Sequence, residues 1–238
     1  MPPLRHIVAA VTPDATAASA LRVASALAGA TRARLSHFSL VDHVAPGGVA
    51  GIEIPRFAEL VEADLVVLPR MLVAGGHLAD AVTRRSRVPC LVVSPGQEDL
   101  TRWLIALDGS SRCIAVLSMV APLVEALGAT AVSLTVEPGR SGVGGSGDEP
   151  LARTLQLARA LEEGTPTGTS RVASAVRSSL RVRHGDVVTE VLRERESLQA
   201  GVLAIGSRPG GPPPPIPEGS LARRLVNDAP CMVLTVPL

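Results

Sequence analysis

Short apolar runs alternate with amphipathic segments along the whole chain. Leu4 to Val11 is the first run and predicts a strand. Asp14 is placed to cap a helix over Ala15 to Ala28, with Leu21, Ala24, Leu27 and Ala28 on one face and Gly29 as its stop. Ala33 to Val41 predicts a second strand, and Pro46 to Gly51 a loop. A short helix is expected over Phe57 to Ala63, a strand over Asp64 to Leu68, a helix over His77 to Arg85 after Gly75-Gly76, and a strand over Leu91 to Ser94. The pattern then restarts. Arg102 to Leu107 is a strand; Ser110 or Ser111 caps a helix ending near Gly128, with Pro122 predicting a kink or an early stop. Thr130 to Val136 is a strand, and the glycine-rich loop Pro138 to Gly147 leads to a helix from Leu151 to about Glu163. Val172 to Ser179 resumes that helix, and Leu180 to Val182 is a strand. Val187 to Leu198 is a helix, and Val202 to Ile205 a buried strand that Gly206 ends. After a Gly/Pro loop, Leu221 to Val226 is an amphipathic helix stopped by Pro230, and Met232 to Val236 is the last buried strand.

The two halves match in order. Arg5 to Val11 parallels Arg102 to Leu107, Ala63 to Leu68 parallels Ala200 to Ile205, and Val88 to Val93 parallels Ala229 to Leu234. Three matches in one order predict a tandem duplication. Gln97 to Thr101, polar and charged, is the natural joint, so the expected domains are residues 1–98 and 99–238. Alternating strands and helices predict α/β architecture, with a parallel sheet covered by helices.

Composition narrows this little but excludes much. Hydrophobic residues make up 46% and aromatics 1%, so the core is built from Ala, Val and Leu. A net charge of +1 gives no electrostatic case for nucleic acid or a membrane surface. No apolar run approaches the ~18 residues of a membrane span. The N-terminus lacks a signal-peptide core, so cytoplasm is the expected location. Cys90, Cys113 and Cys231 have no metal spacing, and an odd count argues against a disulfide framework; they read as small core residues.

The stretch Ala200 to Val236 carries the candidate chemistry. It reads as strand, glycine loop, helix, strand, and a helix N-terminus below such a loop favours an anion. The second half resembles the universal stress protein family over nearly its whole length. The marks are Ala106-Leu107-Asp108-Gly109-Ser110, His184-Gly185-Asp186, Ala204-Ile205-Gly206-Ser207-Arg208, Gly219-Ser220 and Ala229 to Leu234. The resemblance implies two tandem flavodoxin-like, adenine-nucleotide-hydrolase-like domains. The second has a five-stranded parallel sheet of order 3-2-1-4-5, and the first a reduced sheet. It also implies ATP with Mg2+, held by Asp108, Val136, Gly206, Arg208, Gly210, Gly219, Ser220 and Leu221. Members that bind ATP carry G-x2-G-x9-G-[ST] here. Gly219 follows Gly206 by the required thirteen positions and Ser220 fits, but Pro209 stands where the middle glycine belongs. Proline has no N–H to give a phosphate, and Pro212 to Pro215 and Pro217 remove more donors. Arg208, Arg223 and Arg224 are candidate counter-charges, or solvated helix-face arginines. Asp108 is expected beside the adenosine, or as a helix cap.

The first half departs further from the family pattern. Thr12 stands at the Asp108 position and Pro69 at the Gly206 position, and only seven positions separate Pro69 from Gly76. A reduced domain kept for packing, without nucleotide, is expected. The outer strands, Leu91 to Ser94 and Met232 to Val236, are expected to pair the domains into an internal pseudo-dimer, as the family's dimers do; a homodimer and an unidentified protein partner remain open.

Other signals are weaker. Gly142 to Gly147 spells G-x-G-x-x-G, but Glu137 to Ser141 separate it from the strand end and Arg183 follows the next strand, against a dinucleotide fingerprint. His6, His37, His43, His77 and His184 show no metal or triad spacing, and no G-x-S-x-G elbow occurs. The four-proline run is a thin polyproline signal. Three functions stay open: a nucleotide-binding regulatory module, an interaction module that has lost nucleotide, and a slow ATP hydrolase with Glu218 as a thin candidate for general base.

Overall fold

The computed structural model describes residues 4–11, 17–40, 49–73, 76–110, 112–137, 179–207 and 221–238. Asp14, Ser111, the loop Pro138 to Gly147, and the helices expected over 151–163 and 172–178 lie outside them. The chain forms two compact units. One holds Leu100–Gly206; the other joins Pro2–Asp99 with Ser207–Leu238.

In the Leu100–Gly206 unit the elements are β7 (Arg102–Leu107), α4 (Cys113–Leu127), β8 (Thr130–Glu137), β9 (Leu180–His184), α5 (Val187–Leu198) and β10 (Val202–Ser207). The strand order is β10-β7-β8-β9, all parallel. With β7 counted as strand one, this is 3-2-1-4 read from the other side. The central strands are continuous aliphatic runs buried on both faces, as parallel strands under helices must be. Trp103 is buried and its indole N–H donates to the Leu100 carbonyl at 2.8 Å. Strand β9 has only half-buried and exposed residues. It is tied to α5 through charge: Arg181 and Arg183, alternate residues on one face, both pair with Glu194, which is 1% exposed. Asp186 caps α5, accepting from the Thr189 N–H at 3.0 Å. Helix α4 runs through Pro122 to Leu127, so the early stop does not occur. Leu123, just beyond the proline, is buried, and packing there offsets the missing backbone bond.

The other unit contains β1 (His6–Val11), α1 (Ala18–Thr31), β2 (Arg34–Ser39), α2 (Ala50–Leu60), β3 (Leu65–Pro69), β4 (Leu72–Val73), β5 (Gly76–His77), α3 (Leu78–Thr83) and β6 (Cys90–Val93). It also contains α6 (Leu221–Asp228) and β11 (Met232–Pro237). The order is β2-β1-β3-β6-β11. The first four strands are parallel, and β11 joins antiparallel, with Val233 opposite Val92 and Leu234 opposite Leu91. Between β2 and β3 the described residues form α2 where the second half has β9.

Three boundaries differ from expectation. Helix α1 passes Gly29 and ends at Thr31, with Arg32 rather than glycine in the left-handed region at φ 58°. Helix α2 starts at Ala50, inside the expected loop, and carries Pro55 within it. Ile54, Pro55 and Ala58 are all buried, so packing outweighs the proline penalty. Gly51 explains the tightness: a Cβ there would lie 2.7 Å from the Ala81 Cβ, so α2 meets α3 nearly backbone to side chain. The third is α3, which begins at Leu78 after a two-strand hairpin, β4–β5. The joint is anchored within this unit: Ser19 on α1 donates to Glu98 at 2.9 Å and accepts from the Gly96 N–H at 3.0 Å. His6 is buried, with its ring nitrogens at the Val61 carbonyl and the Ser36 hydroxyl.

Candidate functional site

Strand β7 ends at Leu107, and the turn to α4 is made by three residues with separate tasks. Gly109 takes φ +72°, a conformation that favours glycine. Asp108 folds its carboxylate back over that turn, and its Oδ1 accepts the Ser110 N–H at 2.9 Å. Cys113, the first residue of α4, donates its S–H to the same Oδ1 at 3.1 Å. The residue capping α4 is Arg112, without a side-chain cap bond, so Asp108 acts in a turn before the helix rather than as its cap. Burial pushes the Asp108 carboxyl up, but hydrogen bonding from Ser110 and Cys113 outweighs it, and the net effect holds it below the ordinary carboxylate value. The Ser110 hydroxyl lies near enough to favour the charge but makes no hydrogen bond of good geometry. Oδ2 has no hydrogen-bond partner among the described residues.

Two neighbouring strands end beside this carboxylate. Register pairs Leu107 with Thr135, so the next step places Val136 of β8 beside Asp108. Register on the other side pairs Ala204 with Ile105, which carries Gly206 of β10 to the level of Leu107. Val136 and Gly206 are half-buried and Asp108 is exposed. The chain leaves β7 toward β8 on one side, while β10 lies on the other. Asp108 therefore stands at the point where strand order reverses, the usual ligand position in open parallel sheets. One step outward, Glu137 is buried and its Oε2 is 3.3 Å from His184 Nδ1. Among the described residues no group of three or more His, Cys, Asp or Glu side chains is arranged for a metal ion.

The remaining sequence candidates divide differently. Arg208, Gly210, Gly219 and Ser220 lie outside the described residues. Leu221, 40% exposed, opens α6 in the other compact unit. Arg223 is engaged on its own unit: its Nε is 3.6 Å from Asp80 Oδ2, and Arg84 approaches the same oxygen at 3.2 Å. Asp80 is itself buried on α3. Arg224 is exposed.

Sequence reasoning missed Cys113, Asp80 and Arg70. The signal for Cys113 was available: it falls five positions after a strand-end aspartate, at the first turn of the next helix. Asp80 and Arg70 depend on contacts distant in sequence and had no local signal. Arg70, next to Pro69 at the end of β3, donates to the carbonyls of Ala229 and Cys231, where α6 gives way to β11. Burial holds its guanidinium below the usual value, while the Cys231 and Asp228 charges partly restore it. All three cysteines are free and buried. Burial pushes the Cys90 thiol up to about 12, and burial with the Asp108 bond pushes Cys113 up to about 11.

Solved structures share this architecture. A Pseudomonas aeruginosa protein assigned to the universal stress proteins superposes with TM-score 0.68 at 15% identity, covering 98% of this chain and 93% of that one. A universal stress protein of Archaeoglobus fulgidus gives TM-score 0.67 at 15% identity, covering 98% of each chain. A functionally unknown protein of P. aeruginosa gives 0.64 at 15% identity, covering 98% and 92%. At such identity these likenesses speak for the fold alone. No curated protein matches the chain in sequence. The family model described as the universal stress protein family matches residues 100–237, from the start of the β7 unit through β11 and across more than half of the chain. With that match and the shared α/β fold, the chain belongs to the universal stress protein family.

Proposed function

We propose that the protein is a cytoplasmic regulatory module in which the second half binds ATP, accompanied by Mg2+, and the first half serves as packing partner, the two having arisen by duplication. The observation that carries this is the grouping of Asp108, Val136 and Gly206 at the carboxyl ends of three adjacent parallel strands, with one carboxylate oxygen lacking a protein partner. A charged, turn-held carboxylate accepts a hydroxyl or amine donor of a nucleoside. Val136 and Gly206 offer an apolar edge and a close backbone approach beside it. Phosphates would meet residues from Arg208 to Leu221, where the spacing of Gly206, Gly219 and Ser220 matches the family's ATP-binding pattern. Signalling would follow if ligand changes the population of that segment's conformations and thus its affinity for a protein partner.

A second reading has its own support. Pro209 and the five later prolines remove N–H donors from the phosphate segment, and Arg223 is already paired with Asp80. On this reading the module binds a protein partner without nucleotide. Calorimetric titration of ATP with Mg2+ into wild type and Gly219→Val separates the two. Saturable binding lost in the variant supports the first reading. No heat and no thermal shift at millimolar ATP, ADP or AMP supports the second.

A further inference from the structure

The Asp108 carboxylate has two unequal oxygens. Oδ1 accepts from the Ser110 N–H at 2.9 Å and from the Cys113 S–H at 3.1 Å. Oδ2 is left with no protein partner among the described residues. One bond from the adjacent turn leaves a carboxylate free to rotate about its own stem. A second, from a helix five residues away, fixes its plane. Cys113 is 4% exposed at the start of α4, so its thiol cannot turn to solvent for another partner.

We infer that Cys113 is a positioning residue for the nucleotide site: its S–H pins Oδ1 of Asp108 and so presents Oδ2 to the ligand. The inference rests on the nucleotide reading of the second half. The direction of the bond is fixed, because an ionised carboxylate only accepts. The thiol must therefore stay protonated, and it does, since burial and Asp108 both raise it to about 11. A helix N-terminus ordinarily favours thiolate and makes a cysteine reactive. Here burial and the carboxylate outweigh the helix, so Cys113 is an unreactive donor.

The test is ATP–Mg2+ affinity across pH for wild type, Cys113→Ala and Cys113→Ser, together with the carboxyl titration of Asp108 by NMR in ligand-free protein. Alanine removes the donor; serine keeps one. Cys113→Ala is expected to weaken binding about 5- to 10-fold, as for one lost hydrogen bond to a charged group, and Cys113→Ser to stay within about 3-fold of wild type. The pH profile separates positioning from mere packing. Asp108 sits below its ordinary value, so binding is kept above that folded value and lost as pH falls through it. Without the thiol donor the carboxyl moves up, and the acid limb of binding moves to higher pH with it; a cysteine that only filled space would change melting temperature and leave the limb in place. Equal affinities and superposable profiles for wild type and Cys113→Ala overturn the inference. No binding by wild type overturns the nucleotide reading and this role of Cys113 together, and the ligand-free titration distinguishes that result. An Asp108 carboxyl that moves in Cys113→Ala while ATP fails to bind wild type means the geometry is right and the ligand wrong.

Discussion

The carboxyl edges of the two halves began from the same strand pattern and ended with different contents. In the second half, β7 is followed by Asp108-Gly109-Ser110, and β10 by a segment that keeps Gly219-Ser220 thirteen positions beyond Gly206. In the first half, Pro69 ends β3 and a two-strand hairpin, β4–β5, fills the shorter interval before α3. There Arg70 is turned to structure: it binds the Ala229 and Cys231 carbonyls where α6 ends and β11 begins. Asp80, on the helix after the hairpin, pairs with Arg223 of α6. The same edge that offers an open carboxylate in one half is used in the other to hold the last helix and strand. A duplicated sheet can thus divide its labour: one copy keeps the strand-end geometry of a ligand site, and the other spends that geometry on packing.

The largest expected effect lies on the binding side of this comparison. Gly219→Val should weaken ATP–Mg2+ binding by about 30-fold or more, roughly 2 kcal/mol, with wild type binding one nucleotide per chain in calorimetry. A stoichiometry of two would break the comparison outright. Next comes packing in the first half. Gly51→Leu forces a side chain into the 2.7 Å approach to Ala81 and should destabilise by about 1–3 kcal/mol in urea unfolding, without touching Asp108. Ala81→Gly in the same chain should return part of the loss, which a backbone effect at position 51 alone would not allow.

Arg70→Ala should cost about 1–2 kcal/mol, because it leaves the Ala229 and Cys231 carbonyls without their guanidinium donor. Its signature should be faster hydrogen exchange in α6 and β11, with the β8–β9 pair unchanged. The smallest effect sharpens the link between edge and ligand. Asp80→Asn removes the charge that Arg223 now faces, so ATP affinity should rise about 2- to 4-fold at low salt, and the gain should fade as salt rises. Unchanged affinity at every ionic strength would separate Arg223 from the phosphate segment.

Much of this was legible in the amino-acid order, for a definable reason. Strands buried on both faces need continuous aliphatic runs, so Leu65 to Leu68, Val202 to Ile205 and Met232 to Val236 identify themselves. Asp108 was legible because its task is local: a strand end, a glycine with positive φ and a turn N–H all fall within three residues. Helix α2 was not, because Pro55 reads as a breaker in a window of neighbours, and what overrides it is burial of Ile54 and Ala58 and the approach of Gly51 to α3. Gly29 read as a helix stop, yet nothing crowds it, and α1 continues until Arg32 supplies the left-handed turn.

Sequence by itself determined the α/β alternation, the matching order of the two halves and the family, since each follows from apolar period and short motifs. Tertiary structure alone decided which oxygen of Asp108 is left without a partner, that Cys113 holds the other, and that Arg70 and Asp80 serve the last helix and strand. Those facts rest on distances between residues far apart in the chain or on different elements, and no local pattern encodes such a distance.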